Sequence, residues 1–189
     1  METIQNTGID QKRAIIDASS AIILFKTGLF ERLVKTYRVL MTTTVLSEVT
    51  RSGYPGAAFF REVARRPAVT IVPFGRHAAR RLWKDQRFYL LDPGERDTIG
   101  CLKDGRADFI IIDDGRGSSF CRNNDLPFIN ALLFPRVLLL SGRLSAMACD
   151  DKTAQIIQCG RYSPKIIASA VSMGSRELRP FLPGVGDGL

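Results

Sequence analysis

Two short apolar segments that each end on an acidic residue constrain the fold of this chain most strongly. Arg13-Ala-Ile-Ile-Asp17 and Asp108-Phe-Ile-Ile-Ile-Asp113 have the length and the continuous apolar character of buried strands. Further strand-like runs lie at residues 39–43, 69–73 and 126–129, and segments with helical spacing separate them. Strands that alternate with helices predict an α/β sandwich with a mainly parallel central sheet.

Residues that cap or break helices indicate where the helices begin and end. Gly28 is expected to interrupt a helical segment over residues 21–37, and Thr44 is expected to cap a short helix. Asp92-Pro-Gly-Glu95 places a proline where a helix begins, and this helix should run to about residue 104. Helical spacing also covers residues 57–66 and 76–87, and most of the chain from residue 130 onward.

The chain length of 189 residues is that of one domain with a substantial core. No internal repeat and no linker divides the sequence. We expect residues 1–145 to form the main domain and residues 146–189 to form a C-terminal helical extension. The tail from Pro180 to Leu189 is rich in glycine and proline, so it is expected to be flexible.

The scarcity of histidine excludes several kinds of catalytic site. His77 is the single histidine, so a Ser–His pair, a Cys–His pair or a His-ligated metal would each depend on it. The four cysteines form no C-x-x-C pair and have no histidine at zinc-finger spacing, and we expect them to be buried as small apolar side chains. They are Cys101, Cys121, Cys149 and Cys159. Any catalysis is therefore expected to use carboxylates.

No segment of the sequence resembles a signal peptide or a membrane span. The longest apolar runs are interrupted by Pro135 and Arg136 and are too short to cross a bilayer. We therefore expect a cytoplasmic protein without a membrane partner.

Basic and acidic residues are concentrated in adjacent parts of the chain. The net charge is +8; residues 61–87 hold eight Lys/Arg and two acids, whereas residues 85–114 hold eight acids and four Lys/Arg. On a helix, Arg76, Arg80 and Lys84 would share one face that suits a phosphate backbone. The alternative is a solvated surface helix that has no ligand.

Several acids lie where a catalytic site or ordinary helix capping could explain them. Asp17 and Asp113 end two strands, and ligands of open parallel sheets bind beyond the carboxyl ends of the strands. Asp17 could also be a helix N-cap, Glu95 could complete a capping box with Asp92, and Glu48 could be an exposed helix residue. The residues alone leave both interpretations open.

Four motifs, in order along the chain, resemble the successive motifs of PIN-domain ribonucleases. The similarity is closest to the prokaryotic VapC-like toxin branch and covers about residues 13–145. The motifs are Ile15-Ile-Asp-Ala-Ser-Ser20, Val45-Leu-Ser-Glu-Val49, Asp92-Pro-Gly-Glu95 and Phe109-Ile-Ile-Ile-Asp-Asp114. The resemblance implies a three-layer α/β/α sandwich.

The resemblance also implies the positions of the site residues. The four catalytic acids would be Asp17, Glu48, Glu95 and Asp113. The metal ligands would come from Asp17, Glu95, Asp97, Asp113 and Asp114, where Glu95 and Asp97, and likewise Asp113 and Asp114, compete for one role. Ser19 would be the supporting polar residue, at a position where the family often has asparagine.

The implied activity is that of a Mg²⁺- or Mn²⁺-dependent endoribonuclease. Clustered carboxylates repel each other and need a cation to remain ionised together, and oxygen ligands without histidine or cysteine favour Mg²⁺ or Mn²⁺. The similarity to toxins implies an RNA substrate, a small antitoxin partner and a homodimer.

Three other functions are compatible with the sequence. An RNA-maturation nuclease would share the same site, and a catalytically weak PIN-fold binding module would keep only the fold. A haloacid dehalogenase-type phosphatase would need a second aspartate two residues after Asp17, where this chain has Ser19.

Overall fold

Five parallel strands form the centre of the protein. The computed structural model describes residues 11–54, 56–74 and 86–184. The strands are β1 (Arg13–Ile16), β2 (Arg38–Thr42), β3 (Val69–Val72), β4 (Phe109–Ile111) and β5 (Phe128–Ile129). They are ordered β3-β2-β1-β4-β5, and every neighbouring pair is parallel. The prediction of a mainly parallel sheet is confirmed.

Ten α-helices connect or follow the strands within the described residues. They are α1 (Ala18–Lys26), α2 (Phe30–Thr36), α3 (Thr43–Val49), α4 (Ala57–Val63), α5 (Pro93–Lys103), α6 (Gly115–Asn123), α7 (Phe134–Leu140), α8 (Ala146–Cys159), α9 (Pro164–Ser172) and α10 (Ser175–Leu178). Short 3₁₀ helices cover Gln86–Leu90, Ala131–Leu133 and Arg179–Phe181. None of these helices has both the length and the apolar character that a membrane span requires.

Helices cover both faces of the sheet, as a parallel sheet requires. Alternate strand residues point to opposite faces, so Ile16 and Ile111 enter one apolar core whereas Ile15 and Ile110 enter the other. The first core is closed by buried residues of α1–α4 and α7–α10, and the second by residues of α5, α6 and the 3₁₀ helix Gln86–Leu90. The protein is therefore a three-layer α/β/α sandwich.

Two predicted helix boundaries show how local sequence patterns act. Gly28 separates α1 from α2 with a φ of 68°, as the sequence predicts, because glycine adopts this left-handed conformation without strain. The predicted cap at Thr44 is wrong: the side chain of Thr42 accepts a hydrogen bond from the Val45 N–H and caps α3. Thr44 lies inside the helix, where its hydroxyl is available for another contact.

The C-terminal extension packs into the first core. Ile156 of α8 and Leu178 of α10 are fully buried there. Phe181 packs against Phe109 with ring centroids 5.4 Å apart, and its carbonyl oxygen accepts a hydrogen bond of 2.5 Å from the hydroxyl of Tyr37. The expectation of a flexible tail from Pro180 is thus wrong for Phe181, and residues 185–189 lie outside the described residues.

The candidate RNA-binding helix also falls mainly outside the described residues. Arg76, Arg80 and Lys84 are not described, and the described chain resumes at Gln86, in a 3₁₀ helix.

Candidate active site

The ends of β1 and β4 bring two of the expected site residues together. β1 and β4 are neighbours in the sheet although α1–α5, β2 and β3 lie between them in sequence, so the strand order reverses at this point. Ile16 pairs with Ile111, and the backbone N–H of Asp17 donates to the Ile111 carbonyl at 3.1 Å. Asp17 and Asp113 therefore lie at the same edge, where open α/β sheets bind their ligands.

Asp17 is a buried carboxyl group in an unfavourable electrostatic environment. It is 2% exposed and caps α1 by accepting a hydrogen bond of 2.8 Å from the Ser20 N–H. Burial, followed by the repulsion of Asp113 and Glu95, raises the pKa of Asp17 to about 8 despite that hydrogen bond. A carboxyl group placed in this way holds its proton near neutral pH unless a cation compensates its charge.

Asp113 is oriented by donors from two other parts of the chain. Its Oδ2 accepts a hydrogen bond of 3.0 Å from the Ala131 N–H, and its Oδ1 accepts one from the hydroxyl of Tyr162. Burial raises the pKa of Asp113, and these two donors partly offset the increase. The hydroxyl of Ser20 is buried close to Asp17 and Asp113 but has no partner at hydrogen-bond geometry.

Glu95 joins the first turns of α5 and α6. Its Oε2 accepts from the Asp92 N–H at 3.1 Å and its Oε1 accepts from the Gly117 N–H at 3.0 Å. A Cβ atom at position 117 would lie 2.7 Å from that Oε1, so a glycine permits this close approach. Burial, followed by the neighbouring Asp114, raises the pKa of Glu95 to about 7. Asp114 itself caps α6 by accepting from the Arg116 N–H at 2.7 Å.

Glu48 and Asp97 form a second acidic group on α3 and α5. Burial, followed by the charges of Asp92 and Asp97, raises the pKa of Glu48. The Oδ2 of Asp97 accepts a hydrogen bond of 2.5 Å from the hydroxyl of Thr44. Asp97 therefore belongs with Glu48, whereas Glu95 belongs with the acids that follow β4. Glu95 and Asp97, which the resemblance makes candidates for one role, therefore point to different parts of the site.

The structure places the expected site residues in two adjoining groups. Asp17, Glu95, Asp113 and Asp114 influence one another's charge, and Glu48 and Asp97 lie on the Asp92 side of α5. Ser19 is exposed and lines a cleft of about 450 Å³ together with Asp113 and Asp114. Tyr162, Gly117 and Thr44 also contact the acids of the site, although the sequence does not predict them as site residues. Nothing local distinguishes a residue whose partner is far away in sequence.

The donor atoms are those that a hard divalent cation prefers, although they do not form a closed cage. Among the described residues, no group of three His, Cys, Asp or Glu side chains is arranged so that it could hold a metal ion. Mg²⁺ is usually bound through one or two carboxylates and keeps several waters. The buried carboxyls of Asp17 and Glu95 and the half-buried carboxyl of Asp113, whose charges repel that of Asp17, fit a hydrated ion of this kind.

Three of the four cysteines are buried, as expected, but the prediction is wrong for Cys159. Cys101, Cys121 and Cys149 are buried, whereas Cys159 is exposed and lines the same cleft as Ser19. The exposure follows from its place at the last residue of α8.

A three-layer sandwich with acids at the switch point of a parallel sheet is an architecture that several classes of enzyme share. The sequence profile of the PIN domain matches residues 13–148, and this chain belongs to the PIN-domain family. PIN domains are in general nucleases that use divalent metals. Searches of curated proteins and of solved structures found no match.

Gly94 offers a test of whether the position of Glu48 matters. A Cβ atom on Gly94 would lie 2.8 Å from the Oε1 of Glu48, so the Gly94→Ala variant should displace this carboxylate. Alanine is the better helix former by up to about 1 kcal/mol, so we expect a melting temperature equal to or above that of the parent. Nuclease activity that depends on Glu48 should nevertheless fall, by roughly tenfold. Unchanged cleavage would show that the Glu48 position is not needed.

Proposed function

We propose that this protein is a Mg²⁺- or Mn²⁺-dependent endoribonuclease whose site lies at the carboxyl ends of β1 and β4. The observation that carries the proposal is the cluster formed by the buried acids Asp17 and Glu95 with the half-buried Asp113, whose charges repel that of Asp17, in a PIN domain. Burying several carboxyls together is unfavourable unless a cation or protons compensate the charge. A site with this property is typical of metal-dependent hydrolysis.

The chain's own residues would have distinct roles in this reaction. We assign Asp17, Glu95 and Asp113 to hold the cation, one or two of them directly and the rest through its bound waters. Asp114 would be an adjacent ligand or the partner that sets the charge of Glu95. We assign Glu48, with Asp97 beside it, to orient a water molecule or a further ion. Ser19 would contact the substrate at the exposed edge of the cleft.

The bound ion would lower the pKa of a water molecule and stabilise the charge that develops on the leaving oxygen. The hydrogen bonds from Tyr162 and Ala131 to Asp113 hold one carboxylate in a fixed orientation. Because such orientation is fixed before the substrate binds, it adds no reorganisation cost during the reaction.

Partner and biological role are the further parts of this proposal. We retain the toxin component of a toxin–antitoxin pair as the first candidate, with a small antitoxin, a homodimer and a cytoplasmic location. Arg76, Arg80 and Lys84 would contact the RNA backbone. An RNA-maturation nuclease would have the same site, and identification of the bound RNA and of a co-purifying partner would distinguish the two roles.

Two alternatives are less well supported. A haloacid dehalogenase-type phosphatase belongs to a family other than the one that matches this chain. A catalytically weak binding module would not require several buried carboxyls with raised pKa values at one edge of the sheet.

A cleavage assay on single-stranded RNA with Mg²⁺, Mn²⁺ or EDTA tests the proposal. The parent should cleave with either ion and not in EDTA. The Glu95→Gln and Asp113→Asn variants should lose more than the roughly 10–100-fold that outer-shell partners of metals usually contribute. Asp125→Asn is a matched control, because this exposed residue has a φ of 52° and asparagine tolerates that conformation as well as aspartate does. Full activity in EDTA would contradict the proposal.

A further inference from the structure

The last residue of α8 and the three residues that follow it form one wall of the cleft at the acidic site. The segment Cys159, Gly160, Arg161 and Tyr162, here called the α8 wall, lines the cleft of about 450 Å³. Ser19 and Lys26 of α1 line the same cleft, and Asp113, Asp114 and Gly115 line it between β4 and α6. The α8 wall lies beyond residue 148, where the match to the PIN domain ends.

A specific contact fixes the α8 wall to the acidic site. The hydroxyl of Tyr162 donates to the Oδ1 of Asp113, which is 49 residues away in sequence. A Cβ atom on Gly160 would lie 2.2 Å from the Cε2 atom of Tyr162, so the ring lies directly against the glycine backbone. This arrangement requires glycine at position 160. Because Arg161 lies between Gly160 and Tyr162 in sequence, the contact between these two residues also fixes the position of the Arg161 backbone.

Two positively charged side chains that line the cleft are available to bind a ligand. Lys26, in the last turn of α1, and Arg161, in the α8 wall, are both exposed and line the cleft. Neither forms an ion pair with any residue that the structure describes. They lie beside Asp113 and Asp114, which by themselves would repel a polyanion. Basic side chains next to such acids offset this repulsion for a phosphate backbone.

We propose that the α8 wall is part of the RNA-binding cleft: Arg161 and Lys26 bind backbone phosphates of single-stranded RNA that flank the scissile one, and Tyr162 positions the wall. The proposal deepens the proposed function and rests on it for the identity of the polyanion. It assigns substrate binding to a part of the chain outside the matched PIN-domain region.

The first test is the salt dependence of RNA binding in EDTA, where no cleavage occurs. For a labelled single-stranded RNA, the Lys26→Ala/Arg161→Ala variant should bind about tenfold more weakly than the parent. The plot of log K against log salt has a negative slope, and its magnitude should decrease by about 1.4. Two phosphate contacts are lost, and each contact to a single strand contributes roughly 0.7. The Arg161→Lys variant should bind the RNA almost as tightly as the parent, since it keeps the positive charge at this position.

A control variant separates the cleft cations from the net charge of the protein. Lys35→Ala/Arg65→Ala removes two exposed positive charges, one in the last turn of α2 and one in the turn that follows α4. Its salt slope should equal that of the parent. Equal slopes for the cleft variant and this control variant would overturn the proposal.

The second test uses Cys159 as a reporter within the wall. Cys159 is exposed, whereas the other three cysteines are buried, so a maleimide should react with it first. Bound RNA should slow this reaction in the parent at least several-fold. The Tyr162→Phe variant keeps the ring but loses the hydrogen bond to Asp113, so RNA should protect Cys159 less well. A wall that does not bind RNA would show the same labelling rate with and without RNA, in contradiction to the proposal.

The outcomes separate this inference from the proposed function. If the parent binds RNA in a wall-dependent way but does not cleave it with Mg²⁺ or Mn²⁺, the nuclease proposal fails and the binding cleft stands. If the parent cleaves RNA while the cleft variant keeps its affinity and KM, the nuclease proposal stands and the wall has no role in binding. A parent that binds no RNA would overturn both.

Discussion

Replacing Asp17 by Asn should make the protein more stable at pH 8.5 and abolish the RNA cleavage that we propose for it. The folded protein holds Asp17 at a pKa of about 8, against an ordinary value of 3.8. Without divalent cations, the free energy of unfolding should rise by several kcal/mol, on the order of 5 kcal/mol at most. Asparagine is as good an N-cap as aspartate, so the hydrogen bond from the Ser20 N–H to the side chain of residue 17 is kept.

The sign of this effect depends on pH in a defined way. Between about pH 4 and pH 8, the folded parent keeps a proton on Asp17 that the unfolded chain has released. The stability of the parent therefore falls as the pH rises through this window and levels off above it. The Asn variant has no such proton, so the two proteins should differ little near pH 4 and most above pH 8. Denaturant unfolding in EDTA across this range measures the difference.

Asp108 provides a control with the opposite sign. Burial acts to raise the pKa of Asp108, but Arg13, at 2.7 Å, lowers it below the ordinary value. Its contribution to stability is therefore present near neutral pH and lost as the pH falls through the lowered pKa. Asp108→Asn should destabilise the protein near neutral pH. If Asp17→Asn behaved in the same way and kept full activity, Asp17 would be only a helix cap.

Replacing Phe181 by Ala should cost about 3–5 kcal/mol of stability, as is typical for a buried phenylalanine. Phe181 is 9% exposed and contacts the ring of Phe109 on β4. The neighbouring Pro180 carbonyl oxygen accepts from Lys12 at 2.5 Å, just before β1. The segment after α10 therefore closes the first core at the amino-terminal ends of β1 and β4. Loss of the Phe181 ring would expose this end of the core to water.

A matched variant in the same C-terminal extension shows what an exposed apolar residue contributes. Met147 on α8 is 82% exposed, so Met147→Ala should change the free energy of unfolding by less than about 0.5 kcal/mol. Thermal or denaturant unfolding compares the two variants directly. Equal small effects of both substitutions would show that Phe181 does not dock, in agreement with a flexible tail.

The sequence alone determined the layers of the fold and the edge where the acids lie. Strand-like and helical segments alternate regularly, and parallel strands need helical connections, so the sandwich follows from local patterns. Asp17 and Asp113 end two apolar strands, and the carboxyl ends of parallel strands share one edge. Pro93 and Gly28 mark a helix start and a helix break because their effects on the backbone are local.

Contacts between segments far apart in sequence set which of these acids act on one another and what orients them. Glu95 and Asp97 are two residues apart in sequence, yet Glu95 accepts from Gly117 on α6 and Asp97 accepts from Thr44 on α3. Tyr162 donates one of the hydrogen bonds to Asp113, and Phe181 docks onto Phe109, although nothing near either residue in sequence indicates these contacts. The physical reason is that periodicity and capping report on neighbours within a turn or a strand. Contacts between distant segments depend on how the packed layers place one backbone beside another, and that placement is fixed only by the complete core.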